Sequence, residues 1–413
     1  MRFLHLADLH FGKTIHGVSL LENGDQPFWV EQFLILAKEI RPDAVLIAGD
    51  VYDRSAPSGD AVQLLDRMLT DLAALEIPVL LVAGNHDSGQ RLAFASSLLK
   101  ERKLHIAGLL PQGAALEHVT LRDEYGPVTF WLLPYVFPAL AARALADESV
   151  RDYDTAVRRL LEAQDVDFTQ RNVLIAHQNV TASGAEATRG GSESTVGGVG
   201  QVDFTAFDSF DYVALGHIHA ACAVGREAVR YAGSPLCYHF DEIRQPAKGP
   251  VLVDLGEKGS APKIQTLQLA PLHPMREWKG DYNTVRDTLL GAEGRGEYWR
   301  IVLTDRRVTP ECAAFFRSLA ESRGCNLMEL QSEYRIFSGE GKTPAMGTAE
   351  QKTVEELFEE FYTERCGGEE PAEPDRALLH FAGERLRHRE GPIPGEKDVK
   401  ALLDFLTEQE GAV

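Results

Sequence analysis

The chain has 413 residues, 44% hydrophobic and 25% charged, which is ordinary for a globular protein and long enough for two or three domains. Its formal charge of −20 argues against a free-standing nucleic-acid binder, because phosphate neutralisation drives that binding; either the substrate is small, or bound cations and a partner protein supply the positive charge. The longest apolar run, Phe130–Ala146, is broken by Pro134, Pro138 and Arg143, and His5, Asp8 and His10 interrupt the N-terminal run, so neither a membrane span nor a signal peptide is expected.

Arg2–Ala7 is a short strand-like run, and Phe28, Phe33, Ala37 and Ile40 share a helical face. Asp43–Ala48 and Pro78–Ala83 are near-continuous apolar runs, the pattern of strands buried on both faces. Between them Val62, Leu65, Leu69, Leu72 and Leu75 form a helical stripe, with Ser58 as its cap. This alternation predicts parallel strands with helices packed on them. Beyond residue 100, strands are predicted at Val128–Leu133, Asn172–Ala176, Asp211–Leu215 and Pro250–Leu255, and a helix at Tyr153–Ala163. Ser183–Gly200 holds six glycines without apolar periodicity, which predicts a mobile loop, either a lid over substrate or a plain connector.

A second segment starts near Pro271. Helical patterns at Asn283–Leu290 and Pro310–Arg323 flank a strand pattern at Tyr298–Leu303, which predicts a small α/β domain. Ser338–Thr348, with three glycines and a proline, predicts a linker. Thr353 and Glu356 then form a capping box ahead of an apolar stripe at Val354, Leu357, Phe358, Phe361 and Tyr362. Two further amphipathic stretches follow, Arg376–His388 and the run carrying Val399, Leu402, Leu403 and Leu406. The first stripe either packs on its own domain or docks on another chain. The five cysteines, Cys222, Cys237, Cys312, Cys325 and Cys366, show no C-x-x-C spacing, which fits a reducing cytoplasm rather than a disulfide framework.

Metal-ligand residue types recur directly after the predicted strands. They are Asp8 and His10, Asp50 and Asp53, Asn85 with His86 and Asp87, His177, and the pair His217 and His219. Strand ends in α/β sheets converge on one crevice, so the joint placement says far more than any single cluster. The set Asp8, His10, Asp50, Asn85, His177, His217 and His219 mixes oxygen and nitrogen donors without a thiolate, which suits Mn²⁺, Fe or Zn²⁺. Seven side chains exceed one coordination sphere. Two ions sharing a carboxylate would use them all and would suit phosphoester hydrolysis. His86 has two readings, orienting the phosphate and protonating the leaving oxygen, or only supporting Asn85.

The order D-x-H, G-D-x-x-D, G-N-H-D, a lone His and G-H-x-H resembles the calcineurin-like metallophosphoesterase superfamily. Longer runs narrow the resemblance to the SbcD family of bacterial nuclease subunits: LHLADLH at Leu4–His10, GDVYDRSAPS at Gly49–Ser58, AGNHDS at Ala83–Ser88, DYVALGHIH at Asp211–His219 and YAGSPL at Tyr231–Leu236. The resemblance implies an α/β fold of two stacked mixed β-sheets flanked by helices over residues 1–270. It further implies a small α/β capping domain over 271–337, a linker over 338–352 and a helical partner-docking tail over 353–413. Asp8, His10, Asp50 and His219 would hold one ion, and Asp50 would bridge to a second held by Asn85, His177 and His217. His86 would contact the phosphate and assist the leaving group. Mn²⁺ is the implied metal, with Mg²⁺, Fe or Zn²⁺ as alternatives.

The implied activity is a DNA nuclease, 3′ to 5′ on duplex ends and endonucleolytic on hairpins and single strands, in DNA repair and recombination. An SbcC-type coiled-coil ATPase would be the partner and would bring the ATP dependence. A homodimer within a heterotetramer, cytoplasmic and without membrane contact, completes the expectation. Asp53 would either steer substrate or brace its loop. Asp53-Arg54 also resembles part of the Ser/Thr phosphatase motif, which keeps a phosphatase or nucleotide phosphodiesterase as the alternative, although Gly84–Asp87 ends in Asp rather than Glu.

Overall fold

Continuous apolar strands need cover on both faces, and the computed structural model supplies it with two stacked sheets. It describes residues 1–182, 200–245, 248–291 and 296–334. The expected loop at 183–200 (Gly200 excepted), the linker at 338–352, the tail at 353–413 and Cys366 lie outside these residues.

The first sheet has the spatial order Lys263–Thr266, Val251–Asp254, Arg2–Leu6, Ala44–Ala48, Val79–Val82, Leu104–Ala107. Its last four strands are parallel; Val251–Asp254 adds antiparallel to Arg2–Leu6, and Lys263–Thr266 adds antiparallel to Val251–Asp254. The second sheet runs Cys222–Val224, Arg226–Tyr231, Tyr212–Gly216, Arg171–His177, Gly126–Leu133, Glu117–Asp123. Its central four strands are parallel. Strand alternation divides each sheet between two cores. Phe3, Leu46 and Val82 meet Phe130, Ile175 and Tyr212 between the sheets. Leu4, Leu6, Val45, Ile47 and Leu81 face the helices Asp25–Ile40 and Gly59–Ala74. Leu133, Leu174, Val213 and Leu215 face Pro138–Leu145 and Tyr153–Glu162. The result is a helix–sheet–sheet–helix sandwich. His5 is enclosed between the sheets, with Nδ1 3.0 Å from the Tyr212 hydroxyl and Nε2 3.1 Å from the Leu215 carbonyl.

Helix Gly59–Ala74 starts as the sequence predicts, with the Ser58 hydroxyl accepting from the Ala61 N–H at 3.3 Å. Its buried face is rotated from the predicted stripe. Ala61, Leu64, Leu65, Met68, Leu69 and Leu72 point inward, and Val62 is 44% exposed. The first helix is likewise centred on Trp29, Val30, Phe33 and Ala37 rather than on Phe28 and Ile40.

A third sheet, all parallel, runs Met275–Gly280, Tyr298–Leu303, Asn326–Ser332. Trp299, Ile301 and Leu303 pack with Phe316 and Leu319 of helix Pro310–Ser322 and Leu289 of Tyr282–Gly291. Tyr298, on the opposite face of its strand, reaches the first core, and its hydroxyl donates to Asp25 at 2.5 Å. Met1–Tyr334 behaves as one compact unit. Among the described residues no helix is long and apolar enough to cross a membrane, and Cys237, Cys312 and Cys325 are free thiols.

Candidate metal centre

The ends of five strands, three from the first sheet and two from the second, bring the predicted residues into one crevice. Asp8 and His10 follow Arg2–Leu6, Asp50 follows Ala44–Ala48, and Asn85 and His86 follow Val79–Val82. His177 ends Arg171–His177, and His217 and His219 follow Tyr212–Gly216. Backbone bonds lock the first two loops together: the Asp8 N–H donates to Gly49 O at 3.0 Å and the His10 N–H to Asp50 O at 2.9 Å. Asp8, His10, Asp50 and His217 all have positive φ, +54°, +44°, +49° and +104°. Such conformations are rare outside glycine and cluster at functional sites. Gly216 admits no side chain, since a Cβ there would sit 1.9 Å from the Ala48 carbonyl oxygen.

Three groups of donors meet at metal-binding spacing: Asp8, His10 and His219; Asp8, Asp50 and His177; and His10, Asp50 and His86. The Asn85 carboxamide oxygen lies 3.0 Å from His177 Nε2 and 3.2 Å from His217 Nδ1. His10 and His219 face each other Nε2 to Nε2 at 3.2 Å. His177 Nε2 is 3.4 Å from an Asp50 oxygen. Its Nδ1 lies 2.8 Å from the Ala48 carbonyl, which fixes that nitrogen as the donor and leaves Nε2 for the crevice. All seven predicted ligands therefore share one crevice. His86 stands at its rim with a side chain 41% exposed, Nδ1 donating to the Asp53 carbonyl at 2.9 Å.

Burial raises the Asp8 carboxyl, and the nearby Asp50 adds to it. Burial also works to raise Asp50, but His177, His10 and His86 together outweigh it and hold Asp50 below the usual carboxylate range. His177 shows the converse: burial lowers it, and Asp50 lifts it to about 9. Two enclosed carboxylates thus share imidazole neighbours, and no lysine or arginine pairs with either among the described residues. The donor set, oxygen and nitrogen atoms of enclosed side chains at metal-binding spacing, fits divalent cations.

The calcineurin-like phosphoesterase model matches residues 1–221. A second model, described as the type 5 capsule protein repressor C-terminal domain, matches residues 271–365. The D subunit of the nuclease SbcCD from Staphylococcus epidermidis is 31% identical over 311 residues, covering 74% of this chain and 79% of that protein. The crystal structure of TT1561 from Thermus thermophilus aligns over 56% of this chain and 89% of its own at 14% identity, with a TM-score of 0.35.

The chain belongs to the SbcD family of calcineurin-like phosphoesterases. It is accordingly a metal-dependent phosphoesterase, with the stacked-sheet fold of that family and a His/Asp cluster suited to the divalent metals the family uses.

Within this SbcD-family site, Asp87 and Asp53 belong to motifs but act as supports, whereas Gln26, Tyr238, Glu242 and Lys248 were not singled out from the sequence. Asp87 accepts from the Gly84, Val51 and Tyr52 N–H groups at 2.9, 3.1 and 3.0 Å and ties two ligand loops together. The Tyr238 hydroxyl lies 2.7 Å from Leu9 O and 3.1 Å from Asp8 O. Gln26 donates to the His10 carbonyl at 2.7 Å. Buried Glu242 sits 3.4 Å from His219 Nδ1 and receives Lys248 Nζ at 2.9 Å. Asp53 lies 3.6 Å from His10 Nδ1 and accepts from Lys13 at 2.8 Å. The YAGSPL run at Tyr231–Leu236, just upstream of Tyr238 and Glu242, is the one sequence signal near them.

Proposed function

We propose that this chain is the Mn²⁺-dependent nuclease subunit of a DNA repair and recombination complex, hydrolysing DNA phosphodiesters together with an SbcC-type ATPase. The single observation that carries the chemistry is the convergence of Asp8, His10, Asp50, Asn85, His177, His217 and His219 in one crevice. In this reading Asp8, His10, Asp50 and His219 hold one ion, and Asp50, Asn85, His177 and His217 the other. Bound divalent ions supply water activation at neutral pH and charge neutralisation on the phosphate. DNA as the substrate rests on family membership and on the named activity of the Staphylococcus relative.

The remaining roles follow from the protein atoms. His86 uses Nδ1 on the Asp53 carbonyl, so Nε2, 4.0 Å from Asp50, is the atom left to meet a phosphate. In its protonated form it donates to the leaving oxygen. Asp53, between Lys13 and His10 Nδ1, positions His10 rather than touching substrate. His177 is held in one tautomer by the Ala48 carbonyl, so its ring cannot turn away from the site.

The partner reading addresses the charge of −20. An SbcC-type ATPase meeting residues 353–413 would bring the positive field this chain lacks. A homodimer within a heterotetramer is supported by exposed apolar side chains, Phe94 at 81%, Leu98 at 72% and Leu109 at 52%. The setting is cytoplasmic. The test is an Mn²⁺ nuclease assay on hairpin and linear duplex DNA, with and without the partner ATPase and ATP. Hairpin cutting by the chain alone and ATP-dependent duplex degradation with the partner are expected. Hydrolysis of phosphomonoesters or nucleotides with no cut in any DNA would instead favour the phosphatase or nucleotide phosphodiesterase reading. Deleting residues 349–413 should abolish association with the ATPase while sparing Mn²⁺-dependent hydrolysis of a small phosphodiester; retained association refutes the docking role.

A further inference from the structure

The turn Phe240–Arg244 lies between the metal crevice and the third sheet, and its side chains point both ways. Toward the crevice, the Glu242 carboxylate is 3.4 Å from His219 Nδ1. It is fixed there by Lys248 Nζ at 2.9 Å and the Tyr238 N–H at 3.2 Å. Lys248 is itself anchored on the His219 carbonyl at 2.6 Å and the Ser234 hydroxyl at 2.8 Å. Tyr238, two residues before the turn, places its hydroxyl on the carbonyls of Asp8 and Leu9. The same short segment therefore supports Asp8 and His219, two residues of one donor group.

Toward the third sheet, the neighbouring side chains are clamped by charge. Arg300, from the middle strand Tyr298–Leu303, donates to Asp241 at 2.9 Å. Its Nε lies 3.1 Å from Glu277 and 3.6 Å from Glu329, and its guanidinium covers the Phe240 ring at 5.9 Å. Glu277, from the edge strand, also receives Arg244 at 2.7 Å. Arg300 is only 14% exposed and Glu277 only 12%, so that pair is enclosed, while Asp241 at 55% and Arg244 at 72% stand at its solvent edge. Phe240 beneath it is buried in the first core.

We infer that the third sheet positions His219 through this turn, with Arg300 holding Asp241 and thereby setting Glu242 against His219 Nδ1. A carboxylate on one imidazole nitrogen fixes ring orientation and tautomer, so the other nitrogen is presented to the metal. Here that nitrogen is Nε2, which faces His10 Nε2 across the crevice. Glu242 and Arg300 are positioning residues, since neither occupies the crevice. The small α/β layer thereby becomes part of the metal site's support, and a force on that layer reaches one ion and not the other. The inference rests on the two-ion reading given above.

Calorimetric titration of Mn²⁺ into the metal-free full chain tests both, and separates them. The parent is expected to take up two ions; failure to do so overturns the two-ion reading itself. Glu242→Gln should weaken one ion by about 10–100-fold and leave the other within about twofold. Arg300→Met, whose side chain keeps the cover over Phe240, should weaken the same ion by roughly 3–10-fold. The decisive measurement is the double variant: if Arg300 acts through Glu242, adding Arg300→Met to Glu242→Gln changes nothing further. Two ions in the parent with unchanged affinities in Arg300→Met, equal weakening of both ions, or additive losses in the double variant would each overturn the coupling. Arg300→Lys, which keeps the charge, should recover most of the affinity, and its failure to differ from Arg300→Met counts against the clamp.

Discussion

Replacing Gly84 with alanine tests whether the crevice depends on the exact seat of Asp50. A Cβ at residue 84 would lie 2.1 Å from Asp50 Oδ1 and 2.3 Å from the Asp50 backbone nitrogen, whereas ordinary contact begins near 3.4 Å. The methyl group is thus more than an ångström too close to a carboxylate and to main chain at once. A flexible side-chain tip can yield to such a contact, but backbone held by neighbouring strands cannot. The Asp50 N–H and carboxylate must move together, and with them the bond from the His86 N–H to Asp50 Oδ1, now 2.9 Å. A misplacement of about 1 Å at a reacting centre costs on the order of 100-fold in rate. The expected outcome is a loss of about 100-fold in Mn²⁺-dependent hydrolysis of bis-p-nitrophenyl phosphate. Gly59→Ala is the control, because no atom lies within 4 Å of the Cβ it would add. Turnover of Gly84→Ala within about threefold of the parent would refute the reasoning.

Three further outcomes are expected. His86→Ala should bind Mn²⁺ as the parent does while turnover on hairpin DNA falls about 100–10,000-fold, and near-normal turnover would remove His86 from the chemistry. Ser58→Ala removes the cap on Gly59–Ala74 and should cost about 1 kcal/mol in urea denaturation, with no change in metal uptake. His5 is kept neutral by burial, its pKa lowered to about 3. An unfolded histidine takes up a proton below about pH 6.5, so the stability tied to neutral His5 is complete above that pH and is lost as pH falls toward 3. Urea midpoints between pH 6 and pH 4 should therefore fall less steeply in His5→Gln than in the parent, and parallel slopes would contradict this.

The parts of the molecule that were legible in the sequence share a physical character. Strands such as Ala44–Ala48 and Val79–Val82 announce themselves because burial on both faces leaves no polar position. The candidate ligands were legible because each stands at or directly after the end of such a strand. What escaped was half-buried or indirect. Glu117–Asp123 alternates between intermediate and exposed positions, and Met275–Gly280 is an edge strand, so neither shows a continuous apolar run. Val62 was expected inside Gly59–Ala74 because a helical stripe read from large residues alone can be rotated; small Ala61 and flexible Met68 take the buried positions instead. Tyr238 and Glu242 act by hydrogen bonds onto loops and imidazoles from other parts of the chain, and no spacing rule reports such contacts.

The left-handed backbone at Asp8, His10, Asp50 and His217 has a consequence for how the protein lives without metal. Residues in such conformations each carry strain on the order of 1–3 kcal/mol, and four of them stand in the loops that line the crevice. The two apolar cores on either side resist that strain, but the loop ends are where it is most easily released by local opening. A ligand that binds only the closed arrangement stabilises it by mass action. If these loops hold divalent ions, ion capture and the ordering of the loops would be one equilibrium. Amide protons at residues 8–10, 50–53 and 217–219 would then report metal occupancy, with slower exchange expected on adding Mn²⁺ and faster exchange on chelation.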